Sequence, residues 1–263
     1  MKKKIGLAVI CTLLAGLLLG GCGKSSDSQQ NDMVYAVESG SAGEAAAKDK
    51  GYKYNAVTSQ ADALMEVASG TSDAAIIDLL MAGAMIGEGT SYPNLTYTDK
   101  LTSEEYGAGC RKDSDLASFI NSVLYESYSD GSLKETATTY GVQESLIEIK
   151  EAEYVASSDS DVSYIKDKGT LIVGITEFEP MDYMDENGEW IGFDADMARK
   201  VAEKLGVKAE FVVIDWDSKI MELNSKKIDV VWNGMTLTDE VREAMECTVP
   251  YCNNAQVVVV PAN

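Results

Sequence analysis

GTLIVGITEFEPMDYMDENGEW, residues 169–190, carries an apolar strand (Leu171–Ile175), an aromatic loop and a turn at Glu186-Asn187-Gly188. It reads as the opening of a small α/β domain, yet more than half of the chain precedes it. Downstream, the patterning predicts helix Ala195–Leu205, strand Ala209–Ile214, helix Lys219–Asn224, strand Ile228–Trp232, helix Asp239–Met245 and strand Gln256–Val260. Upstream lies a second βαβ block between Met33 and Asp99. Its strands are MVYAV, YKYNAV and AAIID, separated by the helical stretches EAAAKDKG and ADALMEVASG and followed by LLMAGAMIG. Strands that alternate with helices through short Gly/Ser loops imply a mostly parallel sheet with helices on its faces. Between the blocks come a predicted strand Tyr106–Arg111, a helix over Asp115–Tyr128 and another near Leu133–Tyr140. The acidic, serine-rich stretch KEAEYVASSDSD (150–161) follows and reads as a linker.

The first residues follow a different logic. Lys2-Lys3-Lys4 precede an apolar run from Ile5 to Leu19, too short to span a bilayer comfortably and flanked as a secretory signal is. Leu19-Gly20-Gly21-Cys22 resembles a lipobox, so residues 1–21 are expected to be a lipoprotein signal and Cys22 the acylated N-terminus. Residues 22–32 are then a polar tether. With a net charge of −21, nucleic acid and anionic lipid are poor partners, and membrane attachment falls to the acyl chain. The chain has no histidine, which excludes Ser-His-Asp and Cys-His catalysis and the commonest zinc and copper ligand. No metal site and no cofactor are expected. Cys247 and Cys252 suit either a bridge in an oxidising exterior or two small buried thiols, and the sequence leaves both open.

Taken together, GITEFEPM, DENGEWIGFDADMA, IDWDSKIMELNSKKIDVVWNGMTLT and PYCNNAQVVVV resemble the first lobe of the polar amino-acid-binding proteins that serve ABC importers. VYAVESGSAGEAAA with MEVASGTSDAAIID resembles their second lobe, and YGAGCRKDSDLASFINSVLYESYSDGS the segment that returns to the first. The resemblance implies a type II periplasmic-binding-protein-like fold whose segments are rotated, as in a circular permutation cut at the hinge. Residues 33–99 would be lobe 2, 104–149 the return segment of lobe 1, 150–163 a linker joining ancestral termini, and 164–263 lobe 1. On that scheme strand Gln256–Val260 shares a sheet with Leu171–Ile175, and Met33 and Asn263 meet at the interlobe boundary.

The resemblance also implies a site. Asp78, at the end of strand AAIID, would take the ligand ammonium, and Ser41 and Ala42, at a helix start, would offer N–H groups to its carboxylate. Phe178 and Trp216 would sandwich the side chain, while Asn233, Gly234 and Thr236 would hold the polar end. The family's carboxylate-clamping arginine falls at Val241, and Arg242 is one residue late, about 100° around a helix, so either the helix start is shifted and Arg242 reaches inward to bind the ligand or the carboxylate is held without a bidentate arginine. The function implied is that of a monomeric, lipid-anchored extracellular receptor handing a polar L-amino acid to a permease. The alternatives are an enzyme resembling cyclohexadienyl dehydratase, with a carboxylate such as Glu177 as general acid, or a ligand-sensing lipoprotein.

Overall fold

A computed structural model describes residues 32–262; the signal segment, Cys22, the tether up to residue 31, and Asn263 lie outside the described residues. In chain order the first block runs β1 (Val34–Glu38), α1 (Ala42–Lys50), β2 (Lys53–Val57), α2 (Gln60–Ser69), β3 (Ala74–Asp78), α3 (Leu79–Met85) and β4 (Leu95–Lys100). Short strands β5 (Glu104–Tyr106) and β6 (Gly109–Cys110) lead to helices α4 (Leu116–Ser129), α5 (Ser132–Thr139) and α6 (Asp161–Lys168). Next come β7 (Thr170–Ile175), β8 (Tyr183–Met184), β9 (Trp190–Ile191), α7 (Phe193–Leu205) and β10 (Lys208–Val213). The last elements are α8 (Lys219–Asn224), β11 (Val230–Val231), α9 (Asp239–Ala244), β12 (Glu246–Cys247), β13 (Cys252–Asn254) and β14 (Gln256–Pro261).

The local chemistry of these elements is regular. Ser41, Ser59, Ser160 and Thr238 cap helix starts, each hydroxyl accepting a backbone N–H from the first turn. Gly51, Gly70, Gly169 and Gly206 end helices in the left-handed conformation. β3 is buried along its whole length, as a strand covered on both faces must be.

The strands sort into two five-stranded mixed sheets, β2-β1-β3-β14-β4 and β10-β7-β11-β6-β12, and two strand pairs, β13-β5 and β8-β9. β1 lies parallel between β2 and β3, while β14 runs antiparallel to both β3 and β4. In the other sheet β7 is parallel to β10 and β11, and β6 is antiparallel to β11 and β12.

This corrects the boundaries read from sequence. Strand Gln256–Val260 does not join Leu171–Ile175; it is the fourth strand of the sheet built by residues 34–100. Val257, Val258 and Val259 are buried there against β3, which explains why an apolar run was available to either sheet. The lobes are therefore crossed twice, by β5 and β13, which pair Tyr106 with Cys252 and Glu104 with Asn254. One covalent crossing plus two apposed chain ends was expected. The register puts Tyr35 opposite Ala74 and Val259 opposite Ala75, and the Ala262 N–H bonds the Asn94 carbonyl at 2.7 Å. Both described ends thus lie at the edge of this lobe remote from Glu38 and Asp78, and not at the hinge.

Residues 150–163 also differ from a free linker. The Asp115 carboxylate accepts from the Tyr154 hydroxyl (2.8 Å), the Ser160 hydroxyl and the N–H groups of Ser157 and Val162, which pins the segment against α4. α6 begins inside it, at Asp161. Beneath α6, Arg111 bridges Asp161 at 2.9 Å and Asp229 at 3.3 Å, and Lys168 closes on Asp229 at 2.6 Å.

Candidate functional site

The edges of the two sheets converge on a cleft of about 690 Å³ whose walls come from both lobes. β1 and β3 deliver Glu38 and Asp78 from one lobe. The loops after β7 and β10 deliver Phe178 and Trp216 from the other, and the loop after β11 delivers Asn233, Gly234 and Thr236. Ligand sites of open α/β sheets form at such carboxyl edges. Ser41 and Ala42 line the cleft at the start of α1, where first-turn N–H groups favour an anion.

Arg242 is the exception among the expected residues. Thr238 caps α9, so Val241 turns into the cleft and the next residue turns away. The Arg242 guanidinium donates to the Leu237 carbonyl at 3.2 Å and stands 3.7 Å from the half-exposed Glu105 carboxylate. Glu177 is exposed and does not line the cleft, so it is not placed to act as a general acid on a ligand held there. Cys110, Cys247 and Cys252 are free thiols, so the 247–252 bridge does not form.

The polar groups differ in how much bonding capacity they have left. Asp78 is buried and heavily engaged: Oδ1 accepts from the Tyr106 hydroxyl (2.7 Å), Gln256 Nε2 (3.0 Å) and Asn254 Nδ2, and Oδ2 from Gln60 Nε2, which leaves Oδ2 one lone pair. Desolvation and the nearby Glu104 carboxylate push its pKa up to about 7, against those donors. Asn233 is similarly engaged within its own lobe. Its Oδ1 accepts from the Thr176 backbone N–H (2.9 Å) and hydroxyl (2.7 Å), and its Nδ2 donates to the Thr176 carbonyl and to Asp182. The Gly234 N–H is taken by Asp194 Oδ2 at 2.6 Å, and at φ +54° a Cβ there would meet the Phe178 ring at 2.5 Å. Thr236 donates to Glu104 at 3.0 Å. Asn233 and Gly234 therefore shape the wall and hold Phe178 in place.

Two buried, charged lining residues were missed in the sequence. Glu38, 3% exposed, sits at the end of β1 with its Oε1 buried and without a hydrogen-bond partner among the described residues. Burial, then the charge of Asp78, raises its pKa to about 8, and Lys219 and hydrogen bonds with Gln60 and Thr176 oppose the rise. Lys219, 7% exposed, starts α8 in the opposite lobe. Its ammonium donates to the Trp216 carbonyl (3.0 Å) and, across the cleft, to the Gly40 carbonyl (2.9 Å), and lies 4.9 Å from the Trp216 ring centroid. A charged residue beside a Gly/Ser turn, or at the start of a polar helix, carries no sequence signal that separates it from a solvated one. Lys219 lies three residues after Trp216, on the same face of a helical turn, and that spacing was the available hint. Among the described residues no group of three or more His, Cys, Asp or Glu side chains could hold a metal ion, and no helix is long and apolar enough to cross a membrane.

Two α/β lobes joined by a paired two-strand hinge, with a polar and aromatic cleft between them, define a type II periplasmic-binding-protein-like fold. Residues 171–263 match the bacterial extracellular solute-binding proteins, family 3. The L-cystine-binding protein TcyJ of Escherichia coli is 35% identical over 88 residues, 33% of this chain and 33% of TcyJ. A cyclohexadienyl dehydratase of Pseudomonas aeruginosa is 27% identical over 104 residues, 39% of each chain. Among solved structures, the arginine-bound domain 1 of TmArgBP is 32% identical over 37% of this chain and 84% of that one, with a TM-score of 0.30. The chain matches about a third of the length of such curated relatives, 33% for TcyJ.

Proposed function

We propose that the protein is a lipid-anchored extracellular receptor that captures an amino acid between its lobes and delivers it to an ABC permease. The observation that carries this reading is the cleft itself, in which aromatic walls, a helix start, a buried carboxylate pair and a buried ammonium converge from two lobes. In it, the ligand ammonium docks at Asp78 and the carboxylate at the start of α1, with Lys219 in the place of the missing arginine. Phe178 and Trp216 flank the side chain. Acylated Cys22 holds the monomer at the membrane, and the two lobes follow one another in rotated order relative to the family. The names of the binding-protein relatives support capture rather than turnover.

Thermal unfolding tests the reading. A ligand that binds only the folded state adds about 2.7 kcal/mol at one hundred times its dissociation constant. At about 2–4 °C per kcal/mol for a chain of this size, the midpoint should rise by roughly 5–11 °C with one L-amino acid and not with its D-enantiomer. No shift with any amino acid at millimolar concentration would reject the receptor. Turnover of prephenate or arogenate would then favour the dehydratase-like alternative, and binding without a permease partner the sensing one.

A further inference from the structure

The charged groups deep in the cleft do not balance against a neutral zwitterion. Three of them are buried: Glu38, Asp78 and Lys219. The other acids that line the cleft are differently placed. Asp217, Asp239 and Glu240 are exposed at the rim, and Glu44 is tied to Lys48 at 2.9 Å and to the Gly40 N–H at 2.9 Å. If an α-amino acid sets its ammonium at Asp78 and its carboxylate near Lys219, both of those charges are answered. The Glu38 carboxyl is then left over, lacking a partner for Oε1 and kept protonated by its burial, and a cation set beside it by the ligand would let it ionise in place. Burying an uncompensated carboxylate is costly, and a carboxylate with an open lone pair inside a cleft is a receptor for a donor.

What faces Glu38 supports this from both sides. On its own lobe stand Asp78, whose charge repels it, and Gln60, a neutral amide that hydrogen-bonds Glu38 as well as Asp78. From the other lobe come Lys219 and Thr176. Lys219 already donates to two carbonyls, and the Thr176 hydroxyl, which bonds both Asn233 and Glu38, carries no charge. A cation supplied by the ligand is the charge the group lacks.

We infer that Glu38 is a specificity-determining residue and that the ligand is an amino acid carrying a second cationic group, an ammonium or guanidinium at the end of its side chain. This rests on the amino-acid reading of the cleft. It is tested by calorimetry with shape-matched pairs, L-arginine against L-citrulline and L-lysine against L-norleucine, on the wild-type full chain and on Glu38→Gln. Wild type should bind the cationic member of at least one pair ten times or more tighter than its neutral partner. Glu38→Gln should narrow that ratio to threefold or less while keeping the far-ultraviolet circular dichroism of the wild type. Equal wild-type affinity for the neutral partner overturns the inference without any need of the variant, as does a ratio that survives in Glu38→Gln. A screen of the remaining amino acids and ornithine separates the two levels of failure. A neutral or acidic amino acid that binds more tightly than any cationic one removes the role of Glu38 and leaves the receptor standing. Binding of no amino acid removes both.

Discussion

Gly40 is the position where a single methyl group should separate closure of the lobes from stability of the fold. It has φ +70°, and a Cβ built there would lie 2.6 Å from the Asp217 Cα and 2.8 Å from its Cβ, in the opposite lobe. Non-bonded carbons sit about 3.5–4.0 Å apart, so Gly40→Ala demands about 1 Å of separation between two backbones, which no rotamer change can supply. Overpacking of this kind costs about 1–3 kcal/mol, and here it falls on the closed arrangement alone. The cross-cleft bond from Lys219 to the Gly40 carbonyl is strained by the same movement. Affinity for the ligand should fall by about 5- to 150-fold. Gly51→Ala is the control. Gly51 has φ +68°, so the left-handed backbone penalty of about 1–2 kcal/mol is shared, but nothing lies within 4 Å of its added Cβ. Both variants should lose thermal stability, and only Gly40→Ala should lose affinity. Small-angle scattering gives a ligand-independent reading, with a larger radius of gyration for Gly40→Ala than for Gly51→Ala. Equal radii and affinities within twofold of each other would refute the argument.

Further expectations concern the charges. Lys219→Met should weaken amino-acid binding at least tenfold, whereas Arg242→Ala, which removes a solvent-facing guanidinium, should stay within twofold of wild type; calorimetry on both decides which cation serves the ligand. The carboxyls of Glu38, Asp78 and Asp194 are raised to about 8, 7 and 7, first by burial in each case. Between the ordinary carboxyl range near 4 and these values, the folded ligand-free chain holds more protons than the unfolded one. Its stability is therefore fully present at acid pH and falls as pH rises through about 5 to 8. Urea midpoints should be lower at pH 8 than at pH 5, with a smaller drop in Glu38→Gln; a midpoint that rises over this range would contradict the assignment. Asp115→Asn should release residues 150–160 from α4, costing about 1–3 kcal/mol and opening a new protease-sensitive site there, visible as an early cleavage in limited proteolysis.

Much of the architecture was legible because strand and helix periods differ and the punctuation by Ser and Gly is conventional. β1, β3, β7 and α7 fall where the patterning put them. What failed was assignment between sheets. QVVVV is apolar on both faces, so it announces a buried strand without saying which sheet buries it, and its partners in β3 lie some 180 residues earlier. The site divided in the same way. Phe178 and Trp216 follow strands in recognisable segments, and the structure sets both on the cleft wall. The state of Asp78 could not be read, because one of its donors, Gln256, comes from the strand that was misassigned and another, Asn254, from the hinge strand just before it. Arg242 was decided by helix register, since capping by Thr238 fixes which of two adjacent residues points inward. Glu38 and Lys219 were invisible because burial is a property of the assembled lobes, and each looked like an ordinary surface charge.

The paired hinge has a mechanical consequence. A ladder joining Glu104–Tyr106 to Cys252–Asn254 resists sliding and torsion between its strands, so the lobes are left with bending about one axis. Tyr106 sits on that ladder, with its hydroxyl on the Asp78 carboxylate and its ring edge-on to Phe178 at 6.3 Å. Any rotation of the lobes must pull on the residue that touches the floor of one and the wall of the other. Lobe angle and cleft geometry thus form a single coordinate, and a probe placed on either would trace the same motion.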